Sequence, residues 1–244
     1  MTDEIVDRRQ LTDQAGPVPK RPWVLLSYDT SRYPFAYILQ RDVFKVPNLG
    51  KLHQYVLAHY RKHGVKRNLN PEDNLTLREL MQALPQESNF FKLYHDFMLR
   101  VLSRWVGASL SYSETPKMRV HFPQTSSVSS FHHDIIVTKR IDQVNFWLPF
   151  NTVDDTATLW LESDYGACDY HPIRVEYGQV LIFDGGYLGH GTKFNATETT
   201  RTSLDMRFSY KGSSTRADGV RLMNRIVDIA QELQTEQVTE GVIS

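Results

Sequence analysis

His132, Asp134 and His190 have the types and spacing to share one metal ion. Two neutral imidazoles and one carboxylate on one face of an ion leave about three coordination positions open, an arrangement that suits ferrous iron. His132 and Asp134 are two apart, so on a strand both point to the same side and His133 points away. His190 lies far enough downstream for several strands to leave and return. The chain has nine histidines, and a His two before an Asp is common by itself. The addition of His190, set in Gly189-His190-Gly191 after strand-like sequence, favours a shared ion over chance. Beyond it, Arg201 and Ser203 share a strand face. A guanidinium fork beside a hydroxyl is a donor set for a carboxylate.

Strands must position these groups. A hydropathy period of two appears at 117–122, 143–150, 158–162, 178–183 and 201–210, with turn residues between. Along the last of these, Arg201, Ser203, Asp205 and Arg207 fall on one face and Leu204, Met206 and Phe208 on the other. The polar face needs partners, and Arg119 with Asp205, or Asp205 with Arg207, would supply them. Helical spacing precedes the strands at 49–63, 74–84 and 88–106; the last carries Phe90, Phe91, Tyr94, Phe97 and Leu102 and stops at Gly107. Such an apolar face must lie on something large, and a sheet is the obvious partner. Residues 42–47 read as a short extended piece and 23–26 as a short strand or extended segment. Gly185-Gly186 lets backbone pass close to the expected ion.

Helices followed by many short strands predict an α+β fold. The architecture expected is a double-stranded β-helix, a jelly-roll or cupin-like barrel with helices on one outer face and the metal in the barrel mouth. Residues 1–21 are expected to form a flexible arm. Residues 22–212 make the single barrel domain, its helical part about 49–106 and its barrel about 108–210. Residues 213–244 form a C-terminal helix and tail, packed on the body or serving as a dimer contact or lid.

Lys plus Arg and Asp plus Glu are 28 each, so the formal net charge is zero, which argues against nonspecific binding to nucleic acid or an anionic membrane. The single cysteine, Cys168, rules out an internal disulfide and suits a reducing compartment. The first fourteen residues lack the apolar core of a signal peptide. The expectation is a cytoplasmic protein that acts on a small molecule, a homodimer being possible, with neither a nucleic-acid nor a membrane partner.

Wider motifs narrow the reading. Met118-Arg119-Val120-His121-Phe122-Pro123, Val144-Asn145-Phe146-Trp147-Leu148-Pro149, Leu159-Trp160-Leu161-Glu162-Ser163, Phe183-Asp184-Gly185-Gly186 and Arg201-Thr202-Ser203-Leu204-Asp205-Met206-Arg207 accompany the His-x-Asp and the distant His. This ordered set resembles the Fe(II)/2-oxoglutarate-dependent dioxygenases, in particular the phytanoyl-CoA hydroxylase-like branch and its StrG-like members from streptomycin-type biosynthesis. The resemblance implies the barrel fold, Fe(II) on His132, Asp134 and His190, O2 and 2-oxoglutarate as cosubstrates, and the far carboxylate of 2-oxoglutarate on Arg201 and Ser203. Arg119 and Asn145 become candidates for the near carboxylate or for substrate. His121, Trp160 and Arg207 are candidates for substrate contact. Related halogenases replace the ligand carboxylate with a small residue; Asp134 keeps it, which implies a hydroxylase or another oxidase. The substrate implied is a small polar metabolite such as an aminocyclitol or aminosugar intermediate. The rival readings are a cupin-like metalloenzyme without 2-oxoglutarate and a noncatalytic ligand-binding jelly roll.

Overall fold

Strand β9, Arg201–Tyr210, is the axis of the molecule, and its alternation decides what lies on either side of it. The structure is a computed structural model that describes residues 16–126 and 130–241, with side chains to 233. Leu204, Met206 and Phe208 are buried toward the helices, as the alternation predicts. Arg201, Ser203, Asp205 and Arg207 face the opposite way, three of them into one cavity.

The larger sheet is antiparallel. Its path runs β1 (Trp23–Ser27), β7 (Gln179–Phe183), β4 (Val144–Pro149), β9 and β2 (Leu110–Tyr112), with β3 (Lys117–His121) also paired to β9. The register sets His121 opposite Arg201, Arg119 opposite Ser203 and Lys117 opposite Asp205. On the other side of β9, Asn145 lies opposite Arg207 and Trp147 opposite Asp205. A smaller sheet, ordered β6 (His171–Pro172), β5 (Trp160–Leu161), β8 (His190–Gly191), covers the same face. Trp147, Leu181 and Phe183 of the large sheet meet Leu161 and Leu188 in a core between the two sheets. Among the described residues these strands form two sheets and do not close into the barrel expected.

Helices cover the other face of the large sheet. They are α1 (Phe35–Ile38), α2 (Leu52–Lys62), α3 (Pro71–Gln82), α4 (Asn89–Phe97), α5 (Ser103–Val106) and α7 (Arg216–Gly241); the short α6 (Asp134–Thr138) lies instead on the cavity side. The predicted helix at 88–106 is continuous in effect. Ser88 caps it by accepting the Phe91 N–H, a wider turn at Met98–Leu102 joins α4 to α5, and Gly107 ends it at φ 71°. Phe97 sits among Tyr28, Tyr33, Phe35 and Phe146 in edge-to-face contacts.

The structure corrects three local expectations. α3 begins before residue 74, because Asn70 and Asp73 form a capping box with Pro71 at the first helical position. Residues 39–44 are helical, not extended. They continue α1 as a wide turn that buries Leu39, and Lys45 closes it at φ 54°. The end of the proposed arm is not loose. Pro19 is buried, and Lys20 reaches α7 through its N–H to Asn224 (2.7 Å) and its Nζ to Asp228 (2.6 Å). The arm's first fifteen residues lie outside the described ones. Helix α7 lies on the body, burying Leu222, Met223, Ile226 and Val227. No helix among the described residues is long and apolar enough to cross a membrane.

Candidate metal centre

His132 and His190 face each other as a hydrogen-bonded backbone pair. The His132 N–H donates to the His190 carbonyl at 2.9 Å, and the His190 N–H to the His132 carbonyl at 3.1 Å. The pairing brings the two rings to 4.5 Å between centroids. Asp134 arrives by a different route from the one expected. The segment is not a strand: His132 makes an isolated bridge, and Asp134 is the first residue of α6. Its N–H donates to the Gly185 carbonyl at 2.9 Å, which turns the carboxylate back toward both imidazoles. One ligand atom from each of the three residues lies within 4.8 Å of the others.

The ring orientations fit a metal. Nδ1 of His132 lies 2.7 Å from the Ser130 carbonyl, and Nδ1 of His190 lies 3.0 Å from the Leu188 carbonyl. A carbonyl only accepts, so each Nδ1 carries the proton and each Nε2 lone pair is free. Both Nε2 atoms point at Asp134, at 3.4 and 3.9 Å from its oxygens. Burial presses His190 down to about 4, keeping it neutral, while the Asp134 carboxylate raises His132.

Asp134 is itself held. Arg207 clasps both its oxygens, with Nε on Oδ2 at 2.6 Å and NH2 on Oδ1, and Asn145 Nδ2 donates to Oδ2 at 2.6 Å. Burial alone would raise this carboxyl, but His132 and Arg207 outweigh it and hold it far below the usual range. Gly185 makes room for Asn145. A Cβ there would lie 2.6 Å from Asn145 Cγ and from Phe183 Cε2. Gly186, the other half of the expected pair, shows no such close approach.

A cavity of about 370 Å³ holds the triad at one side and Arg119, Asn145, Trp147, Arg201 and Arg207 along its walls. Arg201 is 4% exposed and, among the described residues, donates only to the Ala157 and Thr158 carbonyls, at 3.2 and 3.4 Å. Its Nε and the Ser203 hydroxyl are buried without a partner. Burial and the nearby Arg119 lower Arg201 to about 10, so it remains a cation at neutral pH. A buried guanidinium without a counter-ion is costly, and a carboxylate in this cavity would satisfy it.

Other expected site residues are placed differently. His121 is 1% exposed and absent from the cavity wall; it sits opposite Arg201 with Nε2 on the Thr125 carbonyl at 3.0 Å. Burial and the Arg201 charge depress it to about 3. Trp160 also misses the cavity. Its Nε1 donates to the Asp155 carbonyl at 3.0 Å, and Lys193 Nζ sits 3.4 Å from its ring centroid. Arg119 pairs with Asp205 at 2.8 Å, diagonally on neighbouring strands and not across a barrel. Arg207 is taken by Asp134, so the alternative Asp205–Arg207 pair does not form. Asn145 and Arg207 thus contact the Asp134 carboxylate directly.

Sequence reasoning passed over Glu162. Its side chain is fully buried and accepts N–H groups from Gly189 (2.8 Å), Cys168 (2.8 Å) and Gly166 (3.2 Å). His133 Nε2, pointing away from the triad as expected, lies 3.7 Å from it. An acid inside the apolar run Leu159–Glu162 was the available signal, because a buried charge must be partnered.

A triad with free Nε2 atoms, an ionised carboxylate and open space beside it fits a metal centre of the two-histidine, one-carboxylate class. No protein-family model matches the chain. The streptomycin biosynthesis protein StrG of Streptomyces griseus is 31% identical over 176 residues, which cover 69% of this chain and 82% of that protein. The chain belongs to the StrG family. Solved structures with a similar course include AviO1 from Streptomyces viridochromogenes Tue57, at a TM-score of 0.49 and 12% identity over 85% of this chain and 96% of that one. Another is HygX from Streptomyces hygroscopicus with nickel and 2-oxoglutarate bound, at a TM-score of 0.45 and 12% identity over 86% and 89%.

Proposed function

We propose that this chain is an Fe(II)- and 2-oxoglutarate-dependent oxygenase that hydroxylates, or otherwise oxidises, a small polar metabolite. The observation that carries the proposal is Arg201: a buried cation with no ion pair within 4 Å among the described residues, in the same cavity as the metal triad. His132, Asp134 and His190 would hold the iron. Arg201 would grip the far carboxylate of 2-oxoglutarate, its Nε gaining a missing partner; the unpartnered Ser203 hydroxyl lies behind it, off the cavity wall, and would need the ligand to reach past that wall. When bound, iron and 2-oxoglutarate supply oxygen activation coupled to decarboxylation, giving succinate and CO2 and placing one oxygen atom on the substrate.

The remaining groups orient and insulate. Arg207 and Asn145 fix the Asp134 carboxylate, leaving little freedom in how it meets an ion. Asn145 Oδ1 is buried without a donor and offers an acceptor inside the cavity. Trp147 and Phe183 wall the space and keep bulk water from it. The intact Asp134 argues for oxygenation over halogenation. In keeping with the name of its StrG relative, we place the chain in antibiotic-type metabolism, on an aminocyclitol- or sugar-derived intermediate, in a reducing cytoplasm. On this reading the two sheets are the halves of a jelly roll.

Anaerobic addition of Fe(II) and then 2-oxoglutarate tests the proposal. A weak visible charge-transfer band is expected, lost in Arg201→Ala at the same ligand concentration while iron stays bound. Turnover without 2-oxoglutarate, or bound iron with no band in the wild type, would instead support a metalloenzyme that needs no cosubstrate.

A further inference from the structure

The charges around the cavity are unbalanced. Lys117, Arg119, Arg201 and Arg207 line it against the carboxylates of Asp134 and Asp205. Two pairs cancel locally, Arg207 with Asp134 and Arg119 with Asp205. On the functional reading above, on which this inference rests, iron and 2-oxoglutarate add opposite charges of equal size, and Arg201 is taken by the cosubstrate. Two net positive charges then remain, and Lys117 is the lining cation left with neither an acid nor the cosubstrate as partner. It is exposed at the start of β3, opposite Asp205 in register, yet it makes no ion pair within 4 Å and no side-chain hydrogen bond among the described residues. Residues 127–129, outside the described ones, contribute no charge by sequence.

The cavity also continues. A second hollow, of about 340 Å³, shares Lys117, Asp205 and Arg207 with the first and runs along β2. Its added lining is Ser111, Tyr112, Ser113, Thr115, Gln143 and Met206: four hydroxyl residues, an amide and a thioether. Tyr112 turns its hydroxyl to His95, Thr115 accepts from Gln86 and Ser113 donates to the Thr115 carbonyl. Ser111 and Gln143, which both donate and accept, suit a polyol, and a shared cation between two hollows suits an anion at their junction.

We propose that the substrate is a polyhydroxylated molecule bearing a phosphate or carboxylate, with the anionic group on Lys117 and the hydroxyl-rich part beside Ser111 and Gln143. A free aminocyclitol, a cation, meets the wrong field here: like charges in a partly enclosed site repel. Phosphate offers Lys117 more charge than carboxylate and is the stronger partner for a compact ammonium group.

Calorimetric titration of the Ni(II)-loaded chain, with 2-oxoglutarate already present, separates the possibilities. The probes are myo-inositol 1-phosphate, glucuronate, uncharged myo-inositol and the cationic 2-deoxystreptamine. Myo-inositol 1-phosphate should bind at least tenfold more tightly than myo-inositol, with glucuronate between them. Lys117→Glu should lose that preference and improve 2-deoxystreptamine, and Lys117→Gln should fall midway. Wild-type preference for 2-deoxystreptamine, or a phosphate preference unchanged in Lys117→Glu, overturns the inference. Failure of 2-oxoglutarate to bind in the preloading step is a separate result and strikes the oxygenase reading instead.

Discussion

The Glu162 carboxylate accepts the backbone N–H of Gly189 at 2.8 Å, one residue before the candidate ligand His190. A Cβ on Gly189 would lie 2.6 Å from the Glu162 carboxyl carbon, so this approach requires glycine. Through His133, the same carboxylate faces the segment that carries the other two ligands. Glu162 is therefore a positioning residue for both halves of the triad. Glu162→Gln puts an N–H where only acceptors fit. It should weaken Fe(II) or Co(II) binding by about 10- to 100-fold, the usual range for groups behind metal ligands. Metal titration checks this, with far-UV circular dichroism showing that the fold persists. Unchanged metal affinity would reduce Glu162 to a loop staple.

Acid should expose the same residue. Burial raises the Glu162 carboxyl, but His133 and the N–H groups of Gly189 and Cys168 outweigh it and hold it down at about 2. A depressed carboxyl stabilises the fold fully above its unfolded value of 4.5 and loses that contribution as pH falls toward 2. The metal-free melting temperature of wild type minus that of Glu162→Gln should therefore shrink between pH 4.5 and pH 2. A constant difference would mean the carboxylate's charge adds nothing.

Arg201→Lys separates charge from shape. Lysine keeps the cation but cannot reproduce the fork. The change should weaken 2-oxoglutarate by about tenfold, against about 100-fold for Arg201→Ala, in line with truncating a buried charged hydrogen-bond partner. Equal losses would show that the bidentate geometry, and not the charge, holds the cosubstrate.

Gly185→Ala should displace Asn145 from Asp134. An overpacked position costs typically 1–3 kcal/mol. Adding Asn145→Ala removes one of the two clashing neighbours and leaves Phe183, so the double variant should regain part of the stability lost by Gly185→Ala. Thermal unfolding of the three variants measures the coupling, and strict additivity would deny the contact.

Away from the metal, Asp184 is 1% exposed and held by Arg216, at 2.8 Å from NH1 and 2.5 Å from NH2, and by the Tyr165 hydroxyl at 2.9 Å. This pair ties α7 to the turn before His190. Arg216→Met strands a buried carboxylate and should cost about 3–5 kcal/mol, read as a fall in melting temperature. Arg216→Met with Asp184→Asn should be less damaging than the single change.

The sequence made the strands that carry chemistry legible because each has one buried and one polar face. The alternation in β9 placed Arg201, Ser203, Asp205 and Arg207 together, and the structure keeps them so. The path of 131–134 was not legible. A bridge residue followed by a helix start puts residues two apart on one ion as readily as a strand does, and only the Gly185 carbonyl decides between them. Partner choice was hidden for the same reason. Arg207 turns to Asp134 and Arg119 to Asp205 because of where the strands and α6 lie, which no spacing encodes. His121 and Trp160 look like pocket residues by motif, but the Thr125 and Asp155 carbonyls draw their ring N–H groups elsewhere.

The clasp on Asp134 carries a consequence for redesign. Its carboxylate is the point on which Arg207 Nε, Arg207 NH2 and Asn145 Nδ2 converge. Asp134→Gly would delete the oxygens and keep the three donors, leaving a positively charged hollow beside the remaining imidazoles. A halide is the simplest occupant of such a hollow, and chloride-dependent thermal stabilisation of that variant would report its capture.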